Sequence, residues 1–156
     1  MPAKFITKKG VITMHPKQLS VFIENKKGHI AALAEAIKNK GIDVRAISVF
    51  DTNEFGILRL VVDDPERALT AVREVGYAAK ISEVLAAEIA DKPGALYEIF
   101  SLCDEADITI EYIYSFIMKS NVKPLIIMKV DRMDEAAEIF TAHGIRIVDA
   151  EEIYGK

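Results

Sequence analysis

The chain has 156 residues, of which 51% are hydrophobic and 28% are charged, as is typical of soluble globular proteins. Its formal net charge of −4 and isoelectric point near 5.4 argue against a nucleic-acid partner, because binding a phosphate backbone usually needs a basic surface. No apolar run approaches the roughly 20 residues of a membrane-spanning helix. The single cysteine cannot form an internal disulfide, which fits a reducing compartment. We therefore expect a cytoplasmic protein, of one domain or two small ones, that does not act on a membrane.

Residues 1–16 differ from the rest of the chain, because they are basic and show no helical pattern. They fit a loose arm, with Met14 as an alternative first residue. They also fit an added edge strand, formed by residues 4–7 or by residues 10–13. The sequence leaves these alternatives open.

The first half of the regular sequence predicts the order strand, helix, strand, strand, helix, strand. Alternating apolar residues mark the first strand, and apolar residues at i, i+3, i+4 and i+7 mark the first helix. Asp64 and Pro65 mark the start of the second helix, as a capping carboxylate followed by proline at the first helical position. The predicted elements cover residues 19–23, 28–41, 42–50, 56–62, 64–76 and 77–84.

The second half repeats this order. Gly94 opens its first helix as Gly28 does in the first half, and the two glycines set the alignment of the halves. Gly144 ends its second helix as Gly76 does, once two extra residues are allowed for between the second and third strands of the second half. The predicted elements cover residues 85–90, 94–103, 108–118, 125–130, 133–143 and 145–153.

The order β-α-β-β-α-β predicts an α+β, ferredoxin-like fold, in which both helices lie on one face of an antiparallel sheet. The chain is thus divided into an N-terminal arm (residues 1–16) and two such domains, at residues 17–84 and 85–156. A domain of about 70 residues buries a modest core and leaves one sheet face and two sheet edges open. We therefore expect extended or stacked sheets, and a homodimer.

Each half also has a polar residue, a glycine and an apolar helix start where its first strand meets its first helix. The two corners read Asn25-Lys26-Lys27-Gly28-His29-Ile30 and Asp91-Lys92-Pro93-Gly94-Ala95-Leu96. Two such corners in register, within this element order, resemble tandem ACT domains over residues 18–154. The second corner is the closer match to the acidic-x-Pro-Gly-x-aliphatic pattern of that family, whereas the first has Lys27 where proline is usual.

The resemblance implies a stand-alone ACT–ACT protein without catalytic residues that binds a free amino acid and regulates an enzyme partner. ACT domains bind amino acids at this corner, commonly where it meets a strand of a neighbouring ACT unit. The ligand-binding residues that the resemblance implies are Asn25, Lys27, Gly28, His29, Ile30, Asp91, Pro93, Gly94, Ala95 and Leu96.

General chemistry favours the same site. A helix N-terminus presents unpaired N–H groups and the positive end of its dipole, so it can hold a carboxylate. Gly28 and Gly94 would let a ligand approach the backbone closely, and Asn25 or Asp91 can accept a hydrogen bond from an α-ammonium group. Pro93 would restrict the loop and reduce its ordering cost. Alternatively, Asp91 only caps its helix.

The second strand of each half predicts that the two corners differ in selectivity. In the alignment that matches Gly94 with Gly28, Tyr112 and Tyr114 in the second half correspond to Ala46 and Ser48 in the first. The two tyrosines would form an amphipathic wall beside a ligand, or they would pack the sheet face against the other domain.

Other functions fit the sequence less well. Residues 53–60 faintly resemble the third-strand motif of RNA-recognition domains, but Leu58 and Leu60 stand where that motif needs aromatic rings. Cys103 lies on the apolar face of its helix, where we expect a buried side chain rather than a nucleophile. His29 is either an exposed residue at the helix start or a ligand contact. No phosphate loop or metal-ligand spacing occurs, so we expect no cofactor and no metal.

The sequence therefore predicts a non-catalytic, amino-acid-binding regulatory protein. The alternative is a dimeric protein-interaction module without a small-molecule ligand, in which an exposed sheet face docks a partner protein.

Overall fold

The fold was obtained as a computed structural model, which describes residues 4–6, 12–24, 26–51, 55–116 and 123–155. The chain is divided into two compact units. The first unit comprises Lys17–Ser82, and the second comprises Glu83–Tyr154 together with the described residues before Lys17. Within the described ranges, no helix is long and apolar enough to cross a membrane.

The N-terminal segment contains two short strands, β1 (Lys4–Ile6) and β2 (Ile12–Met14), which pair antiparallel as a two-stranded sheet. As far as the structure describes this segment, it thus adds no strand to the edge of a larger sheet, which was one of the two sequence-based alternatives.

The first unit contains the six elements that the sequence predicts, in the predicted order. They are β3 (Lys17–Glu24), α1 (His29–Asn39), β4 (Val44–Asp51), β5 (Phe55–Val62), α2 (Pro65–Glu74) and β6 (Ala78–Glu83). The sheet order is β4-β5-β3-β6, and β5 is antiparallel to both β3 and β4. The two strands that are not adjacent in the chain, β3 and β5, therefore lie side by side, as the ferredoxin-like order requires.

The core of the first unit lies between one sheet face and both helices. Leu19 and Leu60 are paired across β3 and β5, and both side chains are buried beneath Leu33 of α1 and Val72 of α2. The helix α2 begins as predicted, because the side chain of Asp64 accepts a hydrogen bond of 3.2 Å from the backbone N–H of Arg67.

The second unit repeats this order up to its second long helix. Its elements are β7 (Leu85–Glu88), α3 (Ala95–Glu105), β8 (Ile110–Ser115), β9 (Leu125–Val130), α4 (Met133–Ala142) and α5 (Ala150–Tyr154). The sheet order is β7-β9-β8, with β9 antiparallel to both neighbours. Phe140 of α4, Ile99 of α3 and Met128 of β9 are buried in one core cluster. The fold is therefore α+β with one antiparallel sheet in each repeated half, as predicted, besides the two-stranded sheet of the N-terminal segment.

The predicted last strand over residues 145–153 is wrong in its length. Within this range, which the structure describes in full, only Ile147 forms a β-bridge, to Ala87. Backbone hydrogen bonds from Glu88 to Arg146 (2.9 Å) and from Val148 to Ala86 (2.8 Å) flank the bridge. The chain then turns into α5. The reason is local, because Asp149 Oδ1 accepts a hydrogen bond from the backbone N–H of Glu151 (3.0 Å), and two glutamates lie in the first helical turn.

The residues that connect β2 to the first unit are held by the second unit. The backbone N–H of Met14 donates to Asp149 Oδ2 (3.2 Å), and the carbonyl of Pro16 accepts from Val84 N–H (2.9 Å). Between them, His15 is buried, with Nε2 at 2.8 Å from Oδ1 of Asp134 on α4. Three contacts thus tie residues 14–16 to the unit that follows much later in the sequence.

Candidate ligand-binding site

The two strand-to-helix corners have the same backbone conformation. Gly28 has φ 91° and ψ −14°, and Gly94 has φ 89° and ψ −7°, so both are left-handed and each caps the helix that follows. No heavy atom lies within 4 Å of a Cβ built on either residue. The glycines are therefore required by the backbone torsion, which L side chains rarely adopt, rather than by crowding.

Backbone hydrogen bonds repeat between the corners at corresponding positions. The first intrahelical bond joins Ala32 N–H to Gly28 O, and its counterpart joins Glu98 N–H to Gly94 O, both at 3.0 Å. The turns that precede the helices are closed in the same way, by Lys26 N–H to Glu24 O (2.8 Å) and Lys92 N–H to Ala90 O (3.0 Å). The first helical N–H of each corner is also bonded, from His29 to Lys26 O (3.3 Å) and from Ala95 to Lys92 O (3.4 Å), so the N–H groups that follow in the first turn are the ones a ligand could use.

The first corner is partly closed by side chains. Asn25 lies outside the described residues, and Lys27 is exposed. His29 is half-buried, and its ring meets the ring of Tyr77 edge to face, with centroids 6.0 Å apart and the Tyr77 hydroxyl 3.4 Å from His29 Nδ1. The prediction that His29 is an exposed residue is therefore wrong, because its ring packs against Tyr77. Ile30 is exposed at the rim of an apolar cavity of about 260 Å³ between α1 and strands β4 and β5.

One ion pair at the first corner neutralises a cation. Lys26 Nζ lies 2.7 Å from Glu24 Oε2. The hydrogen bond and the charge of Lys26 lower the pKa of Glu24, and the same contacts raise the pKa of Lys26. Both groups stay charged at neutral pH. Their opposite charges offset each other, so Lys26 attracts an anionic ligand only weakly.

The second corner carries Asp91, Pro93 and Leu96 as exposed residues, whereas Ala95 is buried. The N-cap of α3 is Gly94, and no side chain caps this helix. The alternative that Asp91 serves only as a helix cap is therefore wrong. Asp91 lies in the loop between β7 and α3, and its contact with a ligand stays a prediction.

A cavity of about 330 Å³ adjoins this corner, and we call it the second-unit cavity. It lies between the end of β7, the first turns of α3 and the segment that leads to Ile147. Two residues of the predicted corner, Lys92 and Ala95, line it. The other charged residues of its wall are Glu88, Glu98, Lys123 and Arg146. A volume above about 300 Å³ is in the range of small-molecule sites.

Glu88 holds two of the cations on this wall. Its carboxylate lies 3.5 Å from Lys123 Nζ and 3.3 Å from Arg146 Nη1, and its side chain is 18% exposed. Arg146 also donates a hydrogen bond to Glu152 of α5. That hydrogen bond, with the charges of Glu152 and Glu88, raises the pKa of Arg146 against an opposing effect of burial. The guanidinium is thus fixed in place as a permanent cation.

Tyr112 and Tyr114 do not line the second-unit cavity. They lie two residues apart on the edge strand β8 and stack on each other, with ring centroids 6.4 Å apart and an angle of 26° between the rings. Ile113 packs against the core, so alternation along the strand places both tyrosines on the other sheet face. Their proposed contact with a ligand stays a prediction.

Sequence reasoning missed Glu88, Glu98, Lys123 and Arg146. The signal was present, because the alignment that matches Gly94 with Gly28 also matches Glu88 with Phe22. Once the two extra residues of the second half are allowed for, it matches Lys123 with Phe55. Comparison of the two halves beyond their corners would have revealed a charged wall in one copy and an apolar wall in the other.

Cys103 is buried, as predicted, with 2% of its surface exposed. Burial, with a smaller contribution from the charge of Asp131, raises the pKa of its thiol. The thiolate is therefore disfavoured, and Cys103 acts as a small apolar core residue. Across the residues that the structure describes, no three His, Cys, Asp or Glu side chains are grouped so that they could hold a metal ion.

Several solved structures share this architecture. Protein BT0572 from Bacteroides thetaiotaomicron is similar in structure, with a TM-score of 0.83 and 28% identity over 92% of this chain and 99% of that chain. Regulatory subunits of aspartate kinase from Thermus thermophilus, in the ligand-free form, and from Thermus flavus have TM-scores of 0.63 and 0.59. Their sequences are 19% and 20% identical to this chain. The matches cover 83% of this chain and 93% and 92% of theirs, and they show a likeness of fold.

Among proteins with curated descriptions, none matches this sequence. The family described as the ACT domain pair does match it, over residues 13–155, which include both corners and both units. The chain belongs to the ACT domain pair family.

Proposed function

We propose that this protein is a non-catalytic regulator that binds a free amino acid at its strand-to-helix corners. The observation that carries the proposal is the identity of the two corners in backbone torsion and hydrogen bonding, at Gly28 and at Gly94. A left-handed glycine that turns the chain into a helix N-terminus leaves N–H groups free to hold a carboxylate. The residues assigned to binding are Asn25, Lys27, Gly28, His29, Ile30, Asp91, Pro93, Gly94, Ala95, Leu96, Tyr112 and Tyr114.

An α-amino acid suits such a corner, because it offers a carboxylate and an ammonium group about one hydrogen-bond span apart. The carboxylate binds the helix N-terminus, and the ammonium group donates to Asp91 in the second unit. Asp91 is exposed and lies at the loop that precedes α3. A cytoplasmic enzyme would be the regulated partner, by analogy with the aspartate kinase regulatory subunits that share the fold.

The proposal includes a homodimer. The strand β4 forms an edge of the first sheet, and its Ile47 and Val49 are exposed. Ile47 also lines the apolar cavity. An edge strand with exposed apolar side chains is a site for pairing with another chain. Ligand binding next to such an edge would favour one arrangement of the two chains, and the partner enzyme would read that arrangement.

The direct test is a thermal-shift screen of the full chain against the twenty amino acids, followed by calorimetric titration of each one that raises the melting temperature. A ligand at 100 times its Kd stabilises the folded state by about 2.7 kcal/mol, which such a screen detects. Failure of all twenty at millimolar concentration would overturn the proposal.

A second candidate is a protein-interaction module, which an exposed aromatic patch favours. Phe22 and Phe50 flank Ile57 in register on the sheet face that points away from the helices, and Phe55 lies on the same face. Phe50 and Phe55 are 57% and 60% exposed. Grouped exposed aromatic residues mark sites of protein contact.

Sedimentation velocity separates pairing through the edge strand from docking through this aromatic patch. Val49→Lys places a charge on the edge and should dissociate a dimer that pairs through β4. Phe50→Ser should dissociate chains that meet through the patch. The exposed Tyr97 on α3 offers a control, because Tyr97→Ser should change neither.

A further inference from the structure

We propose that the second-unit cavity selects an amino acid whose side chain carries a carboxylate. This inference rests on the proposed function, and it adds which corner is open and what it recognises. It follows from differences between two corners that share one backbone geometry. Three differences, in an ion pair, in an aromatic contact and in the charge of the wall, point the same way.

The first difference is the state of the lysine that precedes each glycine by two residues. Lys26 is neutralised by Glu24 at 2.7 Å. The residue that corresponds to Glu24 is Ala90, which cannot form an ion pair. Lys92 therefore lines the second-unit cavity with no carboxylate of the described chain within ion-pair distance, and its charge is available to an anionic group.

The second difference is the space between the start of the first helix of each unit and the segment that follows its second long helix. In the first unit this gap is occupied by His29 and Tyr77, whose rings meet at 6.0 Å. The corresponding residues in the second unit are Ala95 and Ile145, and both line the cavity. Replacing two rings by a methyl group and a short aliphatic chain leaves the open volume of about 330 Å³.

The third difference is the wall opposite the helix start. Glu88, Lys123 and Arg146 form it in the second unit, whereas Phe22, Phe55 and Ala78 occupy the corresponding positions in the first. Glu88 fixes two cations there through contacts of 3.5 and 3.3 Å. The charged lining of the cavity thus consists of three cations and two carboxylates, next to the positive end of α3.

This charge distribution complements a dicarboxylic amino acid. One ligand carboxylate binds the N–H groups at the start of α3, as in the proposed function, and the second binds Lys92, because Lys123 and Arg146 are already paired with carboxylates. The ligand ammonium group can donate to Asp91, in the loop before α3, or to Glu98, in the first turn of α3. A basic amino acid would instead bring a second cation toward Lys92, Lys123 and Arg146, at a cost in binding.

Calorimetric titration of the full chain with glutamate, aspartate, glutamine, asparagine and lysine tests this selectivity. We expect a dicarboxylic amino acid to bind about tenfold tighter than its amide, and lysine to bind most weakly. Lys92→Gln should remove the tenfold preference. Lys26→Gln is the matched control, because Lys26 is already paired, and it should leave the preference unchanged. A 13C-labelled Ala95 methyl group reports whether the ligand enters the cavity.

A second variant tests the open volume without touching a charge. Ala95→His with Ile145→Tyr transplants the aromatic contact of the first unit, and circular dichroism checks that this double variant folds. The folded variant should lose the binding of glutamate and aspartate. Equal affinity for acids and amides, or retained selectivity in Lys92→Gln, would overturn this inference while leaving amino-acid binding in place. Absence of binding by every amino acid would overturn the proposed function itself.

Discussion

Gly28 and Gly94 occupy equivalent positions in the two halves of the chain and hold the same left-handed torsion, with φ angles of 91° and 89°. Neither residue has a neighbour within 4 Å of an added Cβ. A substitution at either position consequently strains the backbone before it obstructs anything. Loss of binding in a β-branched variant at Gly94 would therefore not separate a blocked ligand from a distorted corner.

Gly94→Ala should lower the free energy of unfolding by about 1–2 kcal/mol, which is the cost of a left-handed torsion for a residue with a Cβ. Gly28→Ala should cost the same amount. Urea denaturation measures both. Gly94→Asn is the control, because asparagine tolerates this torsion better, and it should lose less stability. An alanine variant as stable as the unaltered chain would contradict the conformational role.

The connection between Met14 and Asp149 predicts a local opening. Asp149→Ala removes the acceptor of the Met14 N–H and also the cap of the Glu151 N–H. Loss of one hydrogen bond of about 1 kcal/mol should make the Met14 amide exchange with solvent about fivefold faster. Hydrogen exchange measured by NMR gives this rate. The Ile57 amide, in the first unit, should exchange at an unchanged rate.

Cys103 predicts a loss of stability at high pH. Its thiol is an acid whose pKa is raised by burial, so the folded state keeps the proton at pH values where the unfolded state has released it. Stability should therefore fall as the pH rises from the ordinary thiol pKa toward the raised one. Unfolding by urea between about pH 7.5 and 10 measures the slope, and Cys103→Ala should flatten it. A slope that persists in Cys103→Ala would assign it to another group.

Glu24 and Lys26 predict a shifted titration at the first corner only. Lys26 lowers the pKa of Glu24, so the Glu24 carboxylate should stay ionised at a pH where an ordinary glutamate is half-protonated. The pair supports the fold above the ordinary glutamate pKa and loses its contribution as the pH falls through the lowered one. Lys26→Met should raise the Glu24 pKa, as measured by NMR titration. Because both side chains are exposed, the change in stability should be small.

The fold and both corners could be predicted because they depend on local signals. Period-two and period-3.6 patterns, Asp64 before Pro65 and the repeated glycines each act over a few residues. The last strand is shorter than predicted because Ile145 and Ile147 alternate as in a strand, while Asp149 starts a helix two residues later. The helix-start signal at Asp149 thus outweighs the alternating strand pattern before it.

The second-unit cavity could not be predicted from local patterns, because its wall is assembled from distant segments. Glu88 and Arg146 are 58 residues apart in the chain, and the bridge between Ala87 and Ile147, with its two flanking backbone hydrogen bonds, brings them together.

The outward face of the first sheet was also beyond the sequence reasoning. Leu58 and Leu60, which stood against RNA binding, face the helices in the core. The residues that face outward on that sheet include Phe22 and Phe50. The acidic composition still disfavours a nucleic-acid partner.

The contacts of residues 14–16 with the second unit also imply an order of folding. The chain leaves the second unit after Pro16 and returns to it at Glu83, and a hydrogen bond from Val84 N–H to Pro16 O joins the residues beside these two crossing points. Met14 and Asp149 are separated by 135 residues, which a ribosome synthesises in on the order of ten seconds. The first unit can therefore fold while translation continues, whereas the N-terminal segment must wait for nearly the whole chain. If residues 17–82 are replaced by a short turn, the contacts between residues 14–16 and the rest of the second unit become local in sequence. The second unit should then fold faster, as measured by stopped-flow refolding.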